Sequence, residues 1–383
     1  MHTPAAAAGG TPRRALVLSG GIALGAFEAG SYAARERAGE RLPDWLVGAS
    51  AGAVNAAIIA GNPPGQREAA LRRFWEGAAG EPTPITTFLL GPPPPAGAWR
   101  AAYNEAAALQ TLLLGRPGLF RPRLAPGPRI GVTPALFDLA PLEARLPEVV
   151  DFDRLNDGSC RVSLVGTDVE TGERVVFDTA HGTRLSPRHV VACAALLPVF
   201  APVEVEGRLL GDGGPASNVP LDLVLDAPPD GALECFVVEL FARAGHRPRR
   251  FGAAMARAAD LAFGNQTQRI LEGRQREHRL QGLVGQLAAR LPEAVRAEPE
   301  IAALLAELAE GAPMTLLRIG YHAALDEAGP GKFFDFSPAT LADRWAAGEA
   351  GMRTALQRLR LPPPPGPGLR LHEVECGTMA AEC

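Results

Sequence analysis

Five residues, Gly48-Ala49-Ser50-Ala51-Gly52, dictate more of the fold than any other part of the sequence. An apolar run, Trp45-Leu46-Val47, precedes them, and residues 53–60 follow with helical spacing. The serine therefore lies where a strand turns sharply into a helix, and the glycines, lacking Cβ, let strand and helix approach closely. This pattern is typical of the elbow that projects a nucleophilic serine. Taken alone, it is equally compatible with an ordinary tight turn.

A glycine-rich turn precedes this elbow. The buried-strand run Ala15-Leu16-Val17-Leu18 leads into Ser19-Gly20-Gly21-Ile22-Ala23-Leu24-Gly25, and residues 26–34 have helical spacing. Such a turn could cradle a phosphate, but its spacing fits neither the dinucleotide nor the P-loop motif, and the only lysine is Lys332. The turn can also direct backbone N–H groups at a developing oxyanion. Its proximity to an elbow serine favours that second use.

The third motif is Gly211-Asp212-Gly213-Gly214, at the end of a predicted hairpin over residues 203–210. An aspartate at a strand end, next to two glycines, keeps its carboxylate accessible and lets another backbone pack close. A catalytic base needs this geometry. The alternative is an ordinary Asp-Gly turn.

Length and charge limit the classes of function. The 383 residues have 47% hydrophobic content and a mean hydropathy of +0.03, enough to bury a large core in one α/β domain with insertions or in two domains. A formal charge of -4 gives no overall attraction to nucleic acid, so no nucleic-acid partner is expected. Any contact with an anionic lipid surface must be local.

The N-terminal residues and the cysteines predict a cytoplasmic location. Residues 1–14 contain no apolar segment after a basic one, so they do not resemble a secretory signal. No stretch is long enough to span a bilayer. Five cysteines show no metal-ligand spacing, and their odd number favours reduced thiols. Membrane contact is therefore expected to be at most peripheral.

The three motifs occur in the order that characterises the patatin-like phospholipases, and the sequence resembles a bacterial branch of that family. The resemblance rests on LVLSGGIALGAFEAG, on PDWLVGASAGAVNAAIIAGNPP and on VEVEGRLLGDGGPASNVPLDLVLD, and it extends from about residue 15 to about residue 359. Two positions depart from the family pattern. Ile22 replaces the usual third glycine, and Leu24 replaces a basic residue often found before the last glycine of the turn.

The resemblance implies a three-layer α/β/α patatin-like fold with a mostly parallel central sheet and a ligand site at the carboxyl ends of the first strands. It implies a serine acyl hydrolase of lipid or other acyl esters that needs no cofactor or metal. Ser50 would be the nucleophile and Asp212 the base of a dyad. The oxyanion hole would be formed by Gly20, Gly21 and Ile22. Supporting glycines in the motifs would be Gly25, Gly48, Gly52, Gly213 and Gly214.

The predicted organisation is a disordered segment over 1–14, a catalytic domain over 15–360 and a Pro-rich, loose tail over 361–383. Helical and Pro-rich insertions are expected at about 63–130 and a C-terminal helical region at about 251–360. The predicted helix over 98–114 ends in an apolar run that serves either the core or a wall of the site. The Arg-rich stretch 253–290 is either a solvated face or a contact for anionic headgroups. The sequence does not specify an oligomeric state.

Three questions stay open at the level of sequence. A Ser-Asp-His esterase would draw its histidine from those that follow Asp212, namely His246, His278, His322 and His372. A thioesterase or a polyester depolymerase would attack the same kind of carbonyl. A lipid-binding protein without turnover is favoured by the departure at Ile22. Because β-branched residues rarely tolerate positive φ, Ile22 is expected to be extended or helical, and its side chain is expected either to pack against the neighbouring strand or to line the acyl entrance.

Overall fold

The computed structural model describes residues 12–80, 88–89, 91–123, 134–227, 231–245, 247–248, 251–309, 314–323, 327, 329–360 and 369–377. The predicted disordered segment therefore lies largely outside the described residues, and the first strand begins at Arg13. No helix in these ranges is both long enough and apolar enough to cross a membrane.

A nine-stranded sheet forms the centre of the described chain, in the order β11-β10-β9-β1-β2-β5-β8-β7, with β6 also pairing with β5. The six strands from β11 to β5 run parallel. Strands β6 and β8 run antiparallel to β5, and β7 runs antiparallel to β8. Two further strands, β3 and β4, form a separate antiparallel pair. The strands are β1 Arg13–Leu18, β2 Trp45–Ala49, β3 Arg121–Pro122, β4 Phe137–Asp138, β5 Arg161–Asp168, β6 Arg174–Asp178, β7 Val203–Val205, β8 Arg208–Asp212, β9 Leu233–Glu239, β10 Met314–His322 and β11 Leu369–Gly377.

Helices flank this sheet, and short 3-10 turns occur at Ile22–Leu24, Thr179–His181 and Gly329–Phe334. The helices are α1 Gly25–Arg37, α2 Ala51–Ala60, α3 Arg67–Gly80, α4 Ala98–Leu114, α5 Ala140–Val149, α6 Phe152–Leu155, α7 Pro187–Ala192, α8 Gly214–Ser217, α9 Leu221–Leu225, α10 Phe251–Phe263, α11 Gln266–Ala288, α12 Glu293–Arg296, α13 Pro299–Ala309 and α14 Pro338–Leu359. Helix α7 begins after Ser186, with a capping box between Ser186 and His189.

Alternating residues of the central strands pack against both faces of the sheet. Leu16 and Leu18 belong to a large core under α1, α2, α3 and α14. Ala15 and Val17 belong to a smaller core under α9 and α11. Burial on both faces is the usual condition of a parallel sheet, and it explains the uninterrupted apolar run of β1. The predicted three-layer α/β/α fold with a mostly parallel sheet is confirmed.

The last strand, β11, corrects the expectation of a loose tail. Residues 361–368 lie outside the described residues, but Leu369–Gly377 pairs in parallel with all nine residues of β10. Val374 and Cys376 alternate with exposed Glu373 and Glu375, which is the pattern of a half-buried strand. The Pro-rich stretch that precedes this short alternation is typical of a loose tail, which explains the different expectation.

The apolar end of α4 differs from both alternatives that the sequence offered. The residues of α4 that face the protein recur every three or four positions, at Tyr103, Ala107 and Thr111. The opposite face of α4 points to solvent, and the exposed fraction is 56% for Leu109 and 67% for Leu113. These leucines therefore serve neither the core nor the walls of the cavity described below.

The cysteines also depart in part from expectation. Cys160, Cys193 and Cys235 are buried free thiols. Burial raises the pKa of the Cys160 thiol to about 12, which keeps it protonated and unreactive at neutral pH. Cys376 is disulfide-bonded, so the prediction of reduced thiols is wrong for that residue.

Candidate active site

Ser50 occupies a strained turn between β2 and α2. Its φ of 54° and ψ of −123° are rare for a residue with a side chain, and such strain concentrates at functional positions. Gly48 and Gly52 permit this turn because they lack a Cβ, so that neighbouring backbone can pack directly against them. A Cβ at Gly48 would lie 2.4 Å from the Gly52 carbonyl oxygen, and one at Gly52 would lie 2.3 Å from that of Leu18. The backbone thus has the form of the predicted elbow.

Strand register brings Asp212 to the level of Ser50. Ala49 of β2 lies opposite Val165 of β5, and β8 returns antiparallel to β5 with Asp212 opposite Gly166. Since Ser50 follows Ala49 and Gly166 follows Val165, the serine and the aspartate lie on either side of Gly166. Gly213, which follows Asp212, packs directly against β5. A Cβ at this position would lie only 2.2 Å from the Val165 carbonyl oxygen.

The carboxyl of Asp212 is buried, with 3% of the residue exposed. Its Oδ1 accepts a hydrogen bond from the Gly214 N–H at 2.6 Å, whereas Oδ2 has no partner of ordinary hydrogen-bond geometry among the described residues. Burial raises the pKa of Asp212 to about 6. The nearby Ser50 hydroxyl and the Gly214 N–H oppose part of that rise. A carboxyl in this state can accept a proton near neutral pH.

The glycine-rich turn offers backbone donors next to Ser50. Gly20 is close to the serine, since a Cβ there would lie 2.8 Å from Ser50 Cβ. Its N–H, however, already donates to the Asn218 carbonyl oxygen at 3.2 Å. Among the described residues, no hydrogen bond uses the N–H of Gly21, Ile22 or Ala51. These three groups, rather than Gly20, remain available for an oxyanion.

The backbone of Ile22 contradicts the expectation drawn from its β-branched side chain. Its φ is 51°, in the left-handed region that β-branched residues avoid, so the prediction of an extended or helical backbone is wrong. The turn between β1 and α1 imposes the conformation that the family's usual glycine adopts freely. The isoleucine side chain lines the cavity next to Ser50, which is the second of its two expected placements.

This strain can be measured with two substitutions. Where φ is negative, alanine stabilises a folded protein more than glycine does. At the φ of 51° found for Ile22, the alanine Cβ still crowds the backbone, whereas glycine has no Cβ and avoids this steric cost. Ile22→Gly is therefore expected to exceed Ile22→Ala in unfolding free energy by about 0.5–1 kcal/mol. Urea unfolding of both variants measures the difference. The opposite order would mean that Ile22 is not held at positive φ.

Asn218, which the sequence did not single out, lies between the motifs. Its Oδ1 would be 2.5 Å from a Cβ at Gly20 and 3.2 Å from one at Gly214. Its amide nitrogen is buried and makes no hydrogen bond to a described residue. Buried amides rarely lack partners, so this donor is available to a bound ligand or to Asp212. The only signal in the sequence is a polar residue six positions after Asp212.

A buried carboxyl, Glu28, also escaped the sequence reasoning. Ser19 Oγ lies 3.4 Å from Glu28 Oε1, and Asn55 Nδ2 donates to Oε2 at 3.0 Å and to the Gly25 carbonyl at 2.9 Å. Trp75 Nε1 completes the chain by donating to Asn55 Oδ1 at 3.0 Å. Burial raises the pKa of Glu28 well above its ordinary value. This network ties the glycine-rich turn to α2 and α3.

An apolar cavity opens beside Ser50. Side chains from α2, α3, α5 and several loops line it, including the core aromatics Phe74 and Trp75 of α3. The lining residues are Ile22, Ser50, Ala51, Val54, Phe74, Trp75, Leu119, Phe120, Leu139, Leu142, Ala194, Phe200 and Phe336. An apolar cavity next to a nucleophile is suited to hold the hydrocarbon part of an ester.

The histidines that follow Asp212 were the candidates for a third catalytic residue. His246 lies outside the described residues. His322 pairs with Glu375 at 2.7 Å, His372 is on β11, and His278 is on α11. Among the described residues, no hydrogen bond or ion pair joins a histidine to Asp212 or Ser50. The described part of the chain also contains no cluster of three or more His, Cys, Asp or Glu residues able to hold a metal ion.

Comparison with known proteins gives two family matches. The model of the patatin-like phospholipases matches residues 16–225, which is more than half of the chain and includes all three motifs. A second model, described as patatin phospholipase, matches residues 261–365. No curated protein sequence matches the chain.

Two solved structures resemble this one at low sequence identity. VipD from Legionella pneumophila is 14% identical with a TM-score of 0.41, over 91% of this chain and 67% of VipD. The type III effector protein ExoU is 15% identical with a TM-score of 0.37, over 92% of this chain. The match spans about half of ExoU, 54% of its length. On the extent of the first family match, the chain belongs to the patatin-like phospholipases, a family of hydrolases that act on ester bonds.

Proposed function

We propose that the protein is a serine acyl hydrolase that cleaves carboxylic esters of lipids through a Ser50–Asp212 dyad. The observation that carries the proposal is the placement of a strained serine and a buried aspartate on either side of Gly166, beside an apolar cavity. The described histidines take no part in this arrangement, so the dyad is favoured over a Ser-Asp-His triad.

In the first half of the reaction, Ser50 Oγ attacks the ester carbonyl carbon while its proton passes to Asp212. The carbonyl oxygen becomes an oxyanion, which the free N–H groups of Gly21, Ile22 and Ala51 are suited to receive. Asn218 offers a side-chain donor in the same region. Collapse of this intermediate breaks the ester bond, and Asp212 returns the proton to the leaving alcohol.

In the second half, water attacks the acyl group on Ser50. Asp212 accepts a proton from that water, and the acid is released as Ser50 Oγ recovers the proton. A carboxyl with a pKa raised to about 6 suits both directions of transfer, because it is mostly ionised at neutral pH yet is a stronger base than an exposed aspartate.

Covalent labelling tests the proposal directly. A fluorophosphonate should add one adduct to the intact protein, and peptide mapping should find it on Ser50. Labelling on another serine, or an unlabelled protein that hydrolyses no ester, would refute the assignment. The second of those results would favour a lipid-binding protein without turnover, the alternative that the strained Ile22 supports.

The pH dependence follows from the state of Asp212. Because the base must be ionised and its pKa is raised to about 6, kcat/KM is expected to fall as pH decreases through 6, by about tenfold for each pH unit further down. Initial rates with a soluble ester between pH 4.5 and 8, in buffers of constant ionic strength, measure it. A profile that stays flat down to pH 4.5 would exclude Asp212 as the base with this pKa.

Peripheral membrane contact stays a prediction, as does a cytoplasmic location. On α11, the exposed leucines Leu280, Leu283 and Leu287 share a helix with exposed Arg276 and Arg279. Apolar and basic residues on one exposed helix are typical of helices that lie on membrane surfaces. They support contact with anionic lipid headgroups over a purely solvated face.

A further inference from the structure

We propose that the cavity beside Ser50 selects esters with a short acyl chain, and that Phe200 limits the length of that chain. The proposal rests on the function proposed above, since it requires an acyl group to be transferred to Ser50. It adds a substrate class, esters of short unsubstituted acids, to the site.

The size of the cavity is the first argument. Its volume is about 60 Å³. Since a water-sized group needs about 10–15 Å³ of such space, there is room for roughly four to six groups of methylene size. Butyryl and hexanoyl chains fit within that limit. A palmitoyl chain exceeds that limit, so most of it would stay outside the cavity unless the walls moved.

The walls resist such displacement because their rings interlock. The centroid of the Phe120 ring lies 5.2 Å from that of Phe200, 5.0 Å from that of Phe137 and 6.1 Å from that of Phe336. Each of these four residues is at most 3% exposed. Moving one ring requires its neighbours to move, at the cost of close packing.

The part of the wall formed by Trp75 is fixed by a hydrogen bond and by close packing. The indole N–H of Trp75 is tied to Asn55, and its ring packs so tightly against the turn that a Cβ at Gly25 would lie 2.8 Å from Cζ2. Ile22 also lines the cavity and keeps a bulky side chain despite its positive φ. Strain retained at a functional site calls for a function of that side chain, and narrowing the space beside Ser50 is one.

The chemistry of the lining defines the acyl group further. Among the described residues that line the cavity, Ser50 alone has a hydroxyl group, and the Trp75 N–H already donates to Asn55. In the proposed reaction the free N–H groups of Ile22 and Ala51 receive the oxyanion, so a 3-hydroxyacyl chain would bury its hydroxyl against apolar side chains, which is costly. Simple aliphatic acids fit this lining better than the hydroxyacids of a polyester.

The test is a chain-length series of p-nitrophenyl esters from acetate to dodecanoate, below the concentrations at which they form micelles. We expect kcat/KM to be highest for butyrate or hexanoate and at least about tenfold lower for dodecanoate. The corresponding 3-hydroxybutyrate should also be at least about tenfold slower than butyrate.

Phe200→Ala should move the optimum to longer chains. Phe137→Ala is its matched control, because Phe137 is equally buried and belongs to the same ring cluster but does not line the cavity. Its optimum should shift less than that of Phe200→Ala, because the Phe137 ring supports the wall without lining the cavity. If either variant fails to fold, the Phe200→Leu and Phe137→Leu pair makes the same comparison.

Each outcome decides the matter. A flat profile, or one that rises toward dodecanoate, overturns short-chain selection while the hydrolase function stands. Equal shifts in the two variants overturn the role of Phe200. Absence of ester turnover together with absence of fluorophosphonate labelling at Ser50 removes the proposed function and this inference with it.

Discussion

Ser50→Ala is expected to lower ester turnover by roughly a millionfold, the order of loss when a serine hydrolase loses its nucleophile. Fluorophosphonate labelling should disappear at the same time. The unfolding free energy should change by no more than about 1 kcal/mol, because the substitution removes a single oxygen and keeps a side chain at φ 54°. Initial rates, intact-mass measurement and urea unfolding give the three quantities.

Ser50→Gly is the matched control for stability. Glycine tolerates the backbone conformation of Ser50, so this variant should be as inactive as Ser50→Ala but more stable. Substantial turnover in either variant would show that Ser50 is not the nucleophile. Loss of folding in both would instead place Ser50 among the structural residues.

Asp212→Asn is expected to cost about a thousandfold or more in turnover while making the folded protein more stable at neutral pH. Asparagine keeps an oxygen for the Gly214 N–H but cannot accept the serine proton. Its amide does not ionise, so the variant avoids burying a charge. A pKa raised from 3.8 to about 6 corresponds to a stability cost on the order of 3 kcal/mol.

The pH dependence of the stability gain shows whether Asp212→Asn stabilises the protein by removing a buried charge or by changing the packing. Because the folded-state pKa is raised, ionised Asp212 lowers the unfolding free energy of the wild type by the full amount above pH 6. This destabilisation disappears near pH 4, where the carboxyl becomes protonated in both the folded and the unfolded state. The stability advantage of Asp212→Asn should therefore shrink between pH 6 and pH 4. An active Asp212→Asn variant, or a single histidine variant as inactive as it, would contradict the dyad.

Local patterns in the sequence were sufficient to predict much of the fold and the position of the candidate site. Apolar runs that end in glycines predicted β1, β2 and the elbow at Ser50, because strand and turn chemistry act over a few residues. The hairpin that ends at Asp212 was equally evident. The relation between Ser50 and Asp212 depends on the register of two strand pairs, which no local pattern encodes.

The features that sequence reasoning missed depend on tertiary context. The positive φ of Ile22 is imposed by the path from β1 to α1, which overrides the preference of a β-branched side chain. The Gly20 N–H donates a hydrogen bond to the backbone carbonyl of Asn218, a contact between distant residues that no local sequence pattern indicates. The apolar run of α4 predicted burial, but the helix turns its opposite face toward the protein.

The pairing of β11 with β10 affects how the chain can be shortened. The second family match ends at residue 365, before β11 begins at Leu369. A protein cut at that boundary would leave β10 as an exposed sheet edge, with unpaired N–H and C=O groups along nine residues. Such edges pair readily with strands of other molecules. In the intact sheet the edge strand is β11 itself, which carries the charged residues Arg370, Glu373 and Glu375. Charged side chains disfavour pairing at a sheet edge, so the final strand replaces an apolar edge with a charged one, although it lies outside both family matches.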